Sequence, residues 1–160
     1  LEFRRVLFRS LARIAAADPV GQRLLTIPGI GIVTATALLG AVAHIHAFRR
    51  ARQFASWLGL TPSERSSGFR RRLGRISKRG DVYLRCLLTH GARAVLLAAH
   101  RTLRATRQGT RLQHWAAAVA ARCGHNKAAI AVANKLARVV WAVWRSDRTF
   151  SDGLLTRVAA

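Results

Sequence analysis

The chain has 160 residues, 51% of them apolar, with 28 Lys and Arg against six Asp and Glu and a formal net charge of +22. That length suits one domain with a real core, and the apolar content excludes a disordered basic tail. A cationic surplus this large repels itself in a compact fold, and it is tolerated where a polyanion is the partner: nucleic acid first, an anionic membrane surface a weaker second. High-GC coding also favours Arg and Ala, so charge points to a class of partner without naming a job.

Other functions lose ground on the same inspection. No apolar run approaches the ~18–20 residues that span a bilayer, and no charged start, apolar stretch and small-residue cleavage site make a signal peptide. A cytoplasmic, nucleoid-associated setting without a membrane partner is expected. Cys86 and Cys123 are the only cysteines. They lack ligand spacing and read as two buried, reduced thiols. His44 and His46 have no third ligand nearby, so no metal site is expected in this chain.

In chain order, "LEFRRVLFRS" (residues 1–10) shows no caps and no helical period. It resembles one reading frame of a sequencing-library adapter and is set aside from the fold. On that reading the native sequence is a fragment truncated at Leu11, and residues 11–23 are the tail of a linker helix from an N-terminal domain. Asp18-Pro19 is a helix N-cap followed by Pro at the first helical position. The helix it starts carries Leu24 and Leu25 to "IPGIG", and the apolar "IVTATALLGAVAHI" beyond reads as a buried helix. Helix, Pro-Gly-Ile-Gly turn, helix is a helix-hairpin-helix layout. Gly29 and Gly31 would let the turn tighten and leave N–H groups free for a phosphate; a plain corner between two core helices is the competing reading.

Residues 47–58 place Phe48, Ala51, Phe54, Ala55 and Leu58 on one helical face, with Gly59 as the stop. An exposed loop, 61–80, follows. Asp81 caps a helix striped with Leu84, Leu87, Leu88, Gly91 and Val95; 100–110 is a polar connector, 111–122 a helix ending at Gly124, and 127–145 the last long helix. There Lys127, Asn134, Arg138 and Arg145 share a narrow band at about 100° per residue, either a solvated face or a track for a nucleic-acid backbone. Lys127, Lys135 and Arg138 of this helix are the candidate backbone contacts. The expected fold is all-α: a helix-hairpin-helix, a basic Ser/Gly/Arg loop and three further helices.

The loop holds the chemistry. Arg65, Arg70, Arg71, Arg72, Arg75, Lys78 and Arg79 surround Ser66-Ser67-Gly68. Attack on a phosphodiester needs an exposed oxygen that can approach phosphorus in line, and cations to neutralise the non-bridging oxygens. Arginine also gives bidentate phosphate contacts. The same residue types serve an ordinary backbone-binding loop, so they leave catalysis and plain binding both open. Outside residues 1–10 the acids are Asp18, Glu64, Asp81, Asp147 and Asp152, too scattered to hold Mg²⁺. Glu64 is expected to pair with a neighbouring Arg.

Three ordered blocks, "LLTIPGIGIVTATALLG", "FASWLGLTPSERSSGFRRRLGRISKRGDVYLRCLLTHGAR" and "NKAAIAVANKLARVVWAVW", resemble the C-terminal domain of the DEDD-type insertion-sequence transposases. The family is the insertion-sequence "one-ten" family, and the blocks look closest to its "eleven-eleven" subgroup. The resemblance covers residues 24–150 and leaves 151–160 as a tail. It implies a DNA recombinase whose N-terminal RuvC-like domain binds Mg²⁺ through an Asp/Glu tetrad, with the C-terminal domain adding a serine nucleophile. It also implies a composite site shared between subunits of a dimer or tetramer, and a structured non-coding bridge RNA as guide. The family's Ser-Gly falls on Ser67, with Ser66 the fallback and Ser77 a distant third; Arg75, Lys78 and Arg79 match its basic part. The acidic domain is absent from this sequence, so the resemblance implies that the chain alone is inactive.

Overall fold

Asp18 makes the first tight corner: its carboxylate accepts from the N–H groups of Val20 (2.7 Å) and Gly21 (3.2 Å), and Pro19 occupies the first helical position. In the computed structural model, which describes residues 2–70, 72–106 and 108–153, this corner joins α1 (Glu2–Ala17) to α2 (Pro19–Leu25). There follow α3 (Ile32–Ala41), a 3₁₀ turn (Ile45–Ala47), α4 (Ala51–Trp57), strands β1 (Pro62–Glu64) and β2 (Leu73–Ile76), and α5 (Val82–Ala105), α6 (Arg111–Cys123) and α7 (His125–Ser146). The fold is helical, with one small antiparallel sheet among the described residues.

The core forms around α7. Ala128, Ala129, Ala133 and Ala137 are small enough to let neighbouring helices approach, while Val132, Leu136, Val139, Val140 and Val143 fill the space between them. α2, α4, α5 and α6 all pack on this helix. Phe54, Leu58 and Leu60 enter from α4 and its end, Leu84, Leu88 and Val95 from α5, and Leu112 and Val119 from α6. Burying a side chain of this size contributes about 1.5–3 kcal/mol, so α7 is where the energy of the fold concentrates.

Several boundaries and environments differ from expectation. Residues 2–17 form one continuous helix, although the first ten were expected to lack a helical period; no Gly or Pro interrupts them. Val6, Leu7 and Phe8 stay about half exposed, and enclosure begins only further on, complete at Ala15. α4 starts at Ala51 rather than 47, because Phe48 adopts an extended backbone and lays its ring against Phe54 (5.2 Å) and Trp57 (5.6 Å). α5 runs six residues into the expected connector and ends at the cap Thr106. By length and composition α5 is apolar enough to cross a membrane, contrary to the expectation of no such run, but its Leu84, Leu88, Ala92, Val95 and Ala99 line the core. Cys86 is exposed and Cys123 half-buried, both free, where two buried thiols were expected.

The expected loop 61–80 contains the β-hairpin. Its strands are short and exposed on both faces, so neither leaves the apolar–polar alternation by which a half-buried strand is recognised.

Candidate nucleic-acid interface

The hairpin is held at its root by a closed set of hydrogen bonds. At the end of α4, Gly59 N–H donates to Ser56 O (2.9 Å) and Leu60 N–H to Ala55 O (3.0 Å), the paired bonds of a Schellman stop. Gly59 lies in the left-handed region (φ +71), and a Cβ there would stand 2.9 Å from the Arg79 backbone; one on Gly80 would collide with the Trp57 carbonyl. Only glycine lets the outgoing and returning chains cross this closely. Lys78 N–H donates to Gly59 O (3.1 Å) and Ser77 N–H to Thr61 O (2.9 Å). From α7, Asn134 Nδ2 donates to Leu60 O (3.0 Å); from α5, Arg85 Nη1 donates to Leu58 O (3.2 Å). Asp81 then caps α5 through Leu84 N–H (2.8 Å).

Above the root, Pro62 pairs with Ile76 and Glu64 with Leu73, with an irregularity between them. Arg65 N–H donates to Arg72 O (2.9 Å), and Ser67 and Arg70 exchange both backbone bonds (3.3 and 3.2 Å). The tip is therefore the two-residue loop Gly68-Phe69, with Gly68 at φ +57. A positive φ at the first loop position alone is the pattern of a type II′ turn.

The two serines are in different states. Ser66 Oγ donates to Glu64 Oε1 (2.8 Å) and accepts from Arg72 N–H (3.2 Å), so it is engaged inside the hairpin. Ser67 is exposed, and no described residue hydrogen-bonds its hydroxyl. Sequence spacing does not distinguish adjacent serines; the register of the hairpin does.

Among the cations, Arg65, Arg70, Arg72 and Arg75 line the exposed strands and tip, and Lys78 and Arg79 stand exposed at the root. Arg71 lies outside the described residues. The other candidates are placed elsewhere. Gly31 is an exposed N-cap of α3, open on the side a Cβ would occupy. Gly29 is packed against Gly91 of α5, the reason glycine is needed there. Lys127 is exposed in the first turn of α7.

Lys135 and Arg138 belong to a second cationic locus, where α7 meets α4 and α6. Lys135 Nζ sits 4.4 Å from the Trp115 ring centre. Burial holds both groups below their ordinary values, and like charge adds to it: Arg138 acts on Lys135, Arg52 on Arg138. Arg138 Nε is buried with no hydrogen-bond partner among the described residues. Half-buried cations crowded together are costly, and a bound anion would offset that cost. The rest of the α7 band is used structurally: Asn134 holds Leu60, and Arg145 Nη1 and Trp141 Nε1 both donate to Phe48 O (3.0 Å each). Arg52, Arg85 and Phe69 were absent from the sequence-level candidates. An aromatic inside a basic loop was the available signal for Phe69; the roles of the two arginines depend on packing alone.

In chemical terms the hairpin presents, among arginines, a hydroxyl that no described residue engages. No three His, Cys, Asp or Glu side chains come together among the described residues.

Residues 21–108 match the family model described as "Transposase IS116/IS110/IS902 family". The chain is 44% identical over 133 residues to the "Probable family 20 transposase" of Pseudomonas aeruginosa, covering 82% of this chain and 37% of that one. It is 40% identical over 143 residues to the "Transposase for insertion sequence element IS1111A" of Coxiella burnetii (89% and 38%), and 39% identical over 143 residues to the "Transposase for insertion sequence element IS1328" of Yersinia enterocolitica (89% and 41%). It thus spans about two fifths of the length of these curated relatives. With more than half of its length matched by the family model, the chain belongs to the IS116/IS110/IS902 transposase family.

Proposed function

We propose that this chain is the serine-bearing part of a DNA transposase, with Ser67 as the nucleophile. One observation carries the reading: of two adjacent serines, Ser67 alone has a hydroxyl that no described residue engages, at the tip of the hairpin and flanked by Arg65, Arg70 and Arg72. Ser67 Oγ would attack a DNA phosphorus, forming an Oγ–P bond as the P–O3′ bond breaks. The products are a phosphoserine joined to the 5′ end of the downstream strand and a free 3′-OH on the upstream one; the hydroxyl proton passes to a base. The arginines neutralise the non-bridging oxygens as charge develops on them. Ser66, committed to Glu64 and Arg72, supports the tip.

No step is assigned to Mg²⁺ on these residues. The metal-binding acidic domain, the structured guide RNA and the dimer or tetramer that completes the site belong to the same proposal, supported by the family resemblance, as does action at the bacterial nucleoid. The hairpin, Lys127 and the Arg52–Lys135–Arg138 locus supply backbone contacts.

A second reading, a non-catalytic helix-hairpin-helix module, draws on the open N-terminus of α3 at Gly31. The two separate on one experiment. In the full-length transposase with its nucleic acids, Ser67→Ala is expected to abolish strand cleavage and the covalent protein–DNA adduct while DNA binding persists. Cleavage by that variant at the wild-type rate overturns Ser67 as nucleophile; the absence of any adduct with the wild type favours the binding module.

A further inference from the structure

Phe69 stands apart from every other large apolar side chain among the described residues. Its relative exposure is 109%, against 64% for Val82 and 60% for Val6, the next two. It occupies the second position of the hairpin's two-residue tip, and its exposure leaves it unpacked by the described residues. The Ser67–Arg70 bonds fix the tip's backbone on either side, so the ring is presented by a defined scaffold. Arg65, Arg70 and Arg72 are its charged neighbours in the hairpin, all exposed. An aromatic ring ringed by cations is badly placed to dock on a basic surface such as this protein's own. It is well placed beside a polyanion, where the arginines take phosphates and the ring meets the bases.

Spacing makes the idea specific. Two residues of extended chain span at most ~7 Å, and successive phosphates along one DNA strand rise ~3.4 Å. The ring therefore reaches a base within one or two steps of a phosphate at Ser67. Apolar side chains inserted at a base step unstack it and kink the duplex.

We infer that Phe69 is an unstacking wedge, placing its ring against a base next to the phosphodiester presented to Ser67 and opening the duplex there. This rests on the reading of the hairpin as DNA-facing. Phe69 is on this account a positioning residue: it exposes the phosphate and takes no part in bond making.

The test uses the 160-residue chain and duplex oligonucleotides carrying 2-aminopurine, with and without a mismatch at the probe. Wild type is expected to raise probe fluorescence on binding and to prefer the mismatched duplex, whose base costs less to unstack. Phe69→Ala should lose the rise and the preference, with affinity down roughly 5- to 100-fold; Phe69→Trp should restore all three. An unchanged rise with Phe69→Ala overturns the wedge and leaves DNA binding by the hairpin intact. No binding by the wild type at low salt overturns both. A dimer that becomes monomer on Phe69→Ala, with the fluorescence rise unaltered, assigns the ring to contact with a second copy and also overturns the wedge.

Discussion

Gly29 and Gly91 meet backbone to backbone. A Cβ on Gly29 would stand 2.7 Å from the Gly91 carbonyl oxygen, and one on Gly91 would collide with the carbonyl of Gly29. This contact seats the turn between α2 and α3 directly on the middle of α5, on the helix that begins where the hairpin ends. The turn is thus a structural joint of the domain, with only Gly31 left open at its outer end.

Gly91→Ala gives this joint a test with a definite sign. In an exposed helix interior the change would stabilise by about 1 kcal/mol. Here the added methyl forces α5 away from the turn, and overpacking of this kind costs about 1–3 kcal/mol. A net loss of stability is expected in urea unfolding; a gain would mean that the turn can move off α5.

Asn134 ties α7 to the hairpin root through Leu60 O. Asn134→Ala leaves that carbonyl without its donor at a buried residue, a loss of about 1–3 kcal/mol. The loss should be local as well as global. Amide exchange is expected to speed up at Leu60, Ser77 and Lys78, whose N–H groups close the root, more than at the core of α7.

The Arg52–Lys135–Arg138 locus predicts opposite signs for stability and binding. Arg138→Gln removes repulsion and is expected to raise stability by a few tenths of a kcal/mol at low salt, the scale of partly exposed charge pairs. The same change weakens nucleic-acid binding and reduces its salt slope by about one. Added salt should erase the stability gain, because the repulsion it relieves is screened. A variant that is both less stable and unaltered in binding would remove this locus from the interface.

Lys135 adds a pH dependence. Its folded value is lowered from 10.5, by burial first and by Arg138 second, so between the folded value and 10.5 the unfolded chain binds more protons. Stability therefore rises with pH across that alkaline window, and the cost of the charged group is fully present below it. Lys135→Gln should flatten this part of the stability–pH curve relative to wild type.

The neighbouring serines separate on stability before any cleavage assay. Ser66→Ala removes the bonds to Glu64 and from Arg72 N–H and should raise exchange at the Arg72 amide, with a cost of about 1 kcal/mol or less at this exposed site. Ser67→Ala breaks no hydrogen bond among the described residues and should leave hairpin exchange and melting temperature unchanged. Equal effects of the two variants on the hairpin would contradict the difference in their hydrogen bonding.

By itself the sequence determined the helical class, the Asp18 and Asp81 caps and the stop at Gly59, because each rests on local backbone chemistry that a few neighbouring residues specify. The cationic stretch with its paired serines was legible for the same reason. Packing decided the rest. The hairpin register, which separates Ser66 from Ser67, follows from a root closed against the flanking α4 and α5 and held by α7, which lies far along the chain. Gly29 reads in sequence as a turn residue near a phosphate, and only the approach of α5 makes it half of a glycine–glycine contact. Likewise Arg52, Lys135 and Arg138 become one charged locus only when α4 and α6 pack on α7. Local propensity is written residue by residue, whereas juxtaposition of residues far apart along the chain exists only once the core has closed.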